Sequence, residues 1–212
     1  MMHKRLEELV LRYPKLAPIA GDIEKAYEIL LCCAKGGHTI LVCGNGGNAA
    51  DSDHMVGELM KSFVKRRRLD DAFRSSLVAV DPESGALLAE KLEGTIRSIN
   101  LTTHSALSTA YANDKDPDLV FAQQVNGYGN KGDVLVAMST SGNSRNVVLA
   151  SIVAKAKGLS VISMTGSRPA RLDGFSDVAI KVPETETFKV QELDLPIYHC
   201  LCLMLEDALW EK

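Results

Sequence analysis

The chain has no stretch of apolar residues long enough to cross a bilayer, which excludes a membrane-spanning helix. Its opening residues, Met1-Met2-His3-Lys4-Arg5, lead into a charged amphipathic pattern rather than the apolar core of a signal peptide, so a cytoplasmic protein is expected. Neither charge is in excess: 24 basic residues stand against 27 acidic ones, a net charge of −3, and neither a nucleic acid nor a membrane is expected as a partner. An anionic ligand would need donors gathered locally. The five cysteines, Cys32, Cys33, Cys43, Cys200 and Cys202, are odd in number, lack zinc-finger spacing and lie in apolar stretches, which points to reduced thiols in the core. Internal repeats and low-complexity segments are absent too, so the 212 residues read as one domain with appended helices.

What is present centres on Ser139-Thr140-Ser141-Gly142-Asn143-Ser144, four hydroxyls and a glycine between an apolar run and a helical pattern. Upstream, Asp133-Val134-Leu135-Val136-Ala137-Met138 has the continuous apolar character of a buried parallel strand; downstream, Val147, Leu149, Ile152 and Val153 begin an amphipathic helix. A strand running into such a turn aims free backbone N–H groups, hydroxyls and the positive end of a helix dipole at one point. A phosphate suits that point, although one hydroxyl alone would do no more than cap the helix. A similar unit comes earlier, where residues 38–43 form a β-rich run into Gly44-Asn45-Gly46-Gly47-Asn48, followed at helix spacing by Ala49, Ala50, Met55, Val56, Leu59 and Met60. Two such loops ending two strands of one parallel sheet signal phosphate binding more strongly than either alone.

Helical periodicity covers residues 3–12 and 21–35 with Pro14 and Pro18 between them, so residues 1–36 read as two helices joined by a turn. Between residues 61 and 98 the pattern loosens into a partly helical excursion. It carries a basic run, Lys65-Arg66-Arg67-Arg68, read as a solvated helix end that could also steer an anion, and a turn signal at Asp81-Pro82-Glu83-Ser84-Gly85. A short strand at 98–101, a helix over 105–112, a plain turn over 112–117 and a helix over 118–127 follow. Strands at 160–164 and 178–182 and a closing helix from about Asp194 to Glu211 complete the chain. Pro196 cannot donate to the carbonyl of Glu192, so that helix either begins near Asp194 or kinks there. Strands alternating with helices specify an α/β fold: a parallel sheet with right-handed crossovers, covered on both faces, whose ligands bind at the C-terminal strand ends.

Two groups could do chemistry. His54 and Glu58 stand four apart on the helix after the glycine loop and share a face. An imidazole and a carboxylate so placed can share a metal ion, form an acid/base pair, or simply touch on a helix surface. Gln191 and His199 sit among Leu193, Leu195, Leu201 and Leu203, where a histidine can equally be a core residue.

Cys43-Gly44-Asn45-Gly46-Gly47 with His54 and Glu58, then Gly132-Asp133-Val134-Leu135, then the hydroxyl-rich turn, then Gln191-Glu192 with His199, together resemble the sugar isomerase (SIS) domain proteins and, among them, the phosphoheptose isomerases. The match runs in order from about residue 20 to the end. The resemblance implies a five-stranded parallel sheet in a flavodoxin-like three-layer sandwich, a homotetramer with sites at subunit interfaces, and a zinc ion at each site. It implies an aldose–ketose isomerase of a phosphorylated sugar, foremost sedoheptulose 7-phosphate to D-glycero-D-manno-heptose 7-phosphate. Some SIS relatives instead only bind phosphosugars or a replication-initiator protein, and others isomerise different sugar phosphates; the presence of Glu58 and His199 favours the enzyme. By the same resemblance, Ser139, Thr140, Ser141 and Ser144 would hold the phosphate, and Asn45, Gly46, Gly47, Asn48, His104, Asn113, Asp114 and Gln191 would complete the substrate's surroundings. Glu58 and His199 would serve as base and acid in either order, and His54, Glu58, Gln191 and His199 match the metal ligands. The chain departs from the family at Asn48, where many relatives have serine, at His104, where they commonly have aspartate, and in the longer excursion between Lys61 and Ile99, changes that bear on sugar choice.

Overall fold

The chain opens with helices α1 (Lys4–Arg12) and α2 (Ala20–Lys35), joined by a 3-10 turn over Pro14–Ile19, and enters strand β1 (Ile40–Cys43) and helix α3 (Gly47–Met60). The excursion carries α4 (Asp71–Val80) and α5 (Pro82–Lys91) before β2 (Ser98–Asn100), α6 (Ser105–Asp114), α7 (Val120–Tyr128) and β3 (Val134–Met138). Helix α8 (Arg145–Ala156), strands β4 (Ser160–Gly166) and β5 (Val178–Val182), and helix α9 (Thr187–Leu209) complete it. This computed structural model describes residues 2–210; Met1 and the expected helix end at Glu211 lie outside the described residues.

The five strands are parallel throughout and stand in the order β2-β1-β3-β4-β5. Their continuous apolar runs follow from helices on both sides, because alternate residues of one strand enter different cores. Ile40 and Val42 of β1, with Val134, Val136 and Met138 of β3, pack against α1, α2 and α9. Leu41 and Cys43, with Leu135 and Ala137, pack against α7 and α8 on the opposite face. This is the three-layer sandwich expected from the sequence.

Several local expectations are corrected. The turn signal at 81–85 is a helix start: Asp81 caps α5 by accepting from the Ser84 amide at 2.6 Å, and Pro82 takes the first helical position, where its missing N–H costs nothing. The plain turn over 112–117 is also shorter than expected, since α6 runs on to Asp114. Helix α9 begins at Thr187 and continues through Pro196. Its buried Val190, Ile197, Tyr198, Leu201 and Leu205 supply packing that offsets the roughly 3 kcal/mol an internal proline costs. All five cysteines are free, but Cys32 is exposed because it sits one position, about 100° of helix rotation, away from the buried Cys33.

The basic run is not a solvated helix end. Arg67 is fully buried, with Nε donating to Glu206 Oε1 at 2.8 Å and its two terminal nitrogens donating to the carbonyls of Leu59 and Glu58 at 2.8 and 2.9 Å. Glu206, also fully buried, accepts the amides of Phe63, Val64 and Lys65 at 2.8, 2.9 and 3.0 Å. All three guanidinium nitrogens and both carboxylate oxygens have partners, the condition under which a buried ion pair is tolerated. It pins the end of α3 and the start of the excursion to α9. Removing one partner strands the other charge: Glu206→Gln is expected to lower stability by roughly 3–5 kcal/mol in urea denaturation. A loss below about 1 kcal/mol would show that this pair does not hold α3 to α9.

Candidate active site

The strand order changes direction between β1 and β3, and a parallel sheet takes its ligand in the crevice at such a switch point. The two loops singled out from the sequence leave these two strands and face each other around a cavity of about 390 Å³. Gly46 has φ +58° at the start of α3, and Gly142 has φ +63° with its absent Cβ only 2.3 Å from that of Ala170. A side chain at either position would be strained. Helices α3, α8 and α9 all begin beside the cavity and none is capped by the side chain of its N-cap residue, so three positive dipole ends converge there, although Asn146 Oδ1 accepts the Val147 amide of α8 at 3.0 Å. Ser139 and Ser144 hold their hydroxyls 3.0 Å apart, and Thr140 donates to Thr187 at 3.5 Å. Asn45 and Asn146 exchange two amide hydrogen bonds of 2.9 Å and tie the loops together.

Among the described residues no lysine or arginine lines this cavity; Arg168 stands in an adjoining hollow of about 220 Å³ that shares Thr140 and Thr187. The donors are therefore neutral. One of them lacks an acceptor: Asn48 is 2% exposed, its oxygen accepts from Gln191 at 2.8 Å, and its Nδ2 has no partner. Such an unsatisfied buried group costs about 1–3 kcal/mol, which an anion in the cavity would relieve.

A second cluster lies farther along α9. His199 stands eight residues beyond Gln191, about 12 Å along the helix axis. Here His54 Nε2 lies 3.3 Å from Glu58 Oε1 and 3.4 Å from His199 Nε2, while Lys61 donates to the other Glu58 oxygen at 2.7 Å. Phe63 packs edge-on against His199 with ring centroids 5.3 Å apart. Burial, followed by the facing His54 ring, lowers the His199 pKa against the opposing pull of Glu58, so its imidazole is neutral at pH 7. A neutral imidazole beside a carboxylate can take up and release protons near neutrality.

The donor set around His54 bears on the zinc ion that the resemblance implies. Among the described residues no three His, Cys, Asp or Glu side chains already form a metal cage. The spacings around His54, 3.3 and 3.4 Å, nevertheless match neighbouring ligands of a tetrahedral ion whose bonds of about 2.0–2.1 Å put them about 3.3 Å apart. Two imidazoles and a carboxylate therefore suit the ion chemically, provided that they converge on it. Gln191 does not join them here, because its amide is engaged with Asn48 in the cavity.

The cavity thus gathers Asn45, Gly46, Gly47, Asn48, Ser139, Thr140, Ser144 and Gln191, with Ser141 in the adjoining hollow. The remaining three lie elsewhere. His104 sits beside Tyr128 with Nε2 2.6 Å from its hydroxyl, and Asn113 and Asp114 pair at 2.9 Å on the last turn of α6. Sequence reasoning missed Thr187, hidden by the expectation that α9 begins near Asp194. It also missed Asn146 and Lys61, which only tertiary contacts single out.

Residues 84–166 match the SIS domain family, which defines the class: an α/β sugar-isomerase-domain protein. The chain is 34% identical to a phosphoheptose isomerase from Rhodospirillum rubrum over 92% of its own length and 90% of that protein, and 33% identical to one from Akkermansia muciniphila over 93% and 91%. The solved phosphoheptose isomerase of Neisseria gonorrhoeae overlays with a TM-score of 0.74 at 28% identity, covering 95% of this chain and 94% of that one. That of Francisella tularensis gives 0.76 at 26% identity, covering 92% and 91%. The chain belongs to the phosphoheptose isomerase family.

The Asn45–Asn146 bridge generates a prediction. Asn146→Ala is expected to weaken binding of inorganic phosphate about tenfold by calorimetry, the equivalent of one or two hydrogen bonds' net contribution. Unchanged binding would show that the two loops hold their positions without it.

Proposed function

We propose that this isomerase interconverts sedoheptulose 7-phosphate and D-glycero-D-manno-heptose 7-phosphate in the cytoplasm, with its phosphate among the neutral donors of the cavity and its reacting carbons at Glu58 and His199. The supporting observation is that one helix, α9, serves both places: Thr187 and Gln191 line the cavity, and His199 lies in the acid/base cluster. An extended chain advances about 1.2 Å per bond, so the eight bonds from C1 to phosphorus of a heptose 7-phosphate reach about 10 Å, comparable with the axial separation of Gln191 and His199.

The reaction moves a proton from C1 to C2 and another from the C1 hydroxyl to the C2 oxygen, through an enediol. Of Glu58 and His199, one removes the carbon-bound proton and returns it to the neighbouring carbon, while the other serves the oxygens. Lys61 holds one Glu58 oxygen and leaves the other toward His54. His54, Glu58 and His199 would hold one zinc ion, with Gln191 left at the cavity on Asn48; when bound, the ion would polarise the sugar's carbonyl and hydroxyl oxygens. Ser139, Thr140, Ser141, Ser144 and Asn48 fix the far end of the sugar and so orient C1 and C2. His104, Asn113 and Asp114 would contribute to the sugar's surroundings in an assembled homotetramer with sites at its interfaces. In favour of that assembly, the His54 side chain is 45% exposed and a partner over this face would exclude water from the reaction.

Glu58→Gln and His199→Asn are each expected to lower kcat at least a hundredfold in a coupled assay of sedoheptulose 7-phosphate turnover, with phosphate binding and thermal unfolding little changed. Full turnover in either variant would remove that residue from the chemistry. Chelation to undetectable zinc, checked by elemental analysis, is expected to abolish turnover and readdition to restore it. Undiminished activity in zinc-free protein would exclude an essential role for the ion.

A further inference from the structure

His54 meets a buried phenol on the side away from Glu58. Tyr198 is fully buried on α9, and its hydroxyl lies 3.0 Å from His54 Nδ1 and 3.3 Å from Asp51 Oδ1. A phenol has one hydrogen to donate, and near neutral pH it keeps it. An ionised carboxylate can only accept; when Asp51 takes that hydrogen, His54 must donate from Nδ1 to the phenol oxygen. Burial also raises the Asp51 pKa, but the Tyr198 hydroxyl and the His54 ring pull it back, so of the two neighbouring carboxyls Asp194 holds the proton and Asp51 the negative charge. Asp194 is wholly buried, neither of its oxygens has a partner, and burial together with the Asp51 charge pushes its pKa up to about 8.

A neutral imidazole with its hydrogen on Nδ1 has a bare Nε2. That atom faces Glu58 Oε1 at 3.3 Å, so two acceptors oppose each other and repel unless a proton or a cation stands between them. We propose that Tyr198, oriented by Asp51, is a positioning residue that fixes His54 in its Nδ1–H form and thereby turns His54, Glu58 and His199 into a cation-accepting cluster. The inference rests on the reading of this cluster as the reaction centre. It assigns a role to three residues outside that cluster: Asp51 at the start of α3, and Asp194 and Tyr198 one turn apart on α9.

The test is made on the zinc-free, nitrogen-15-labelled full chain, at a pH where the ring is neutral. His54 signals in long-range proton–nitrogen spectra are identified by their loss in His54→Gln. The wild-type chain is expected to show hydrogen on Nδ1 and a bare Nε2. Tyr198→Phe should shift the population toward Nε2–H and weaken zinc binding 10–100-fold in competition with a chromophoric chelator. Asp51→Asn, which keeps the buried phenol, should shift the tautomer in the same direction. Hydrogen on Nε2 in the wild-type chain, or an unchanged tautomer in both variants, overturns the proposal. The reading of the reaction centre fails separately, by persistent turnover in Glu58→Gln.

Discussion

The arrangement depends on α9 behaving as one rod. Its first residues line the cavity between the two loops, its middle supplies His199, and its far end carries Glu206 in the buried pair with Arg67. A helix this long is held by packing rather than by propensity, and the stripe from Val190 to Leu205 is buried over nearly its whole length. The proline at 196 is absorbed for the same reason. Because α3 is tied to α9 by Arg67 through the Glu58 carbonyl itself, the relative placement of Glu58 and His199 is set from behind, by groups that touch no substrate.

The two ends of the site use different electrostatics. At the end proposed to hold the phosphate, a chain whose net charge is −3 offers backbone amides and helix dipoles. Fixed dipoles need no reorganisation when an anion enters, and neutral hydroxyl and amide donors would let it depart. At the other end, full charges and titratable groups meet under partial burial: Glu58 between Lys61 and His54, and His199 kept neutral. On the proposed reading, separating the roles would let one end hold while the other exchanges protons.

Much of this was legible in the sequence. The strands and both loops follow from apolar runs that stop at Gly44 and Ser139, and the resemblance identified the His54, Glu58 and His199 set that α3 and α9 bring together. What was not legible depended on contacts between distant segments. Arg67 reads as one of four basic residues in a row, and nothing local tells which one turns inward to meet a glutamate 139 positions away. Pro196 argues for a boundary on local grounds, and only tertiary burial overrides it. Gln191 and His199 are legible as a pair of ligand types, but their separation along α9 becomes visible only once the helix is known to be continuous.

The α4–α5 hairpin carries a different consequence. Its helices pack chiefly on each other, and its two ends are brought together where Arg68 bridges Glu93 beside buried Arg67. Inserted between points already held close, it adds little to the entropy of closing the chain: each doubling of such a loop costs only about 0.6 kcal/mol. Within one chain the hairpin is therefore a free appendage, whose length and surface can drift over evolutionary time while Glu58, a few residues upstream, keeps its place.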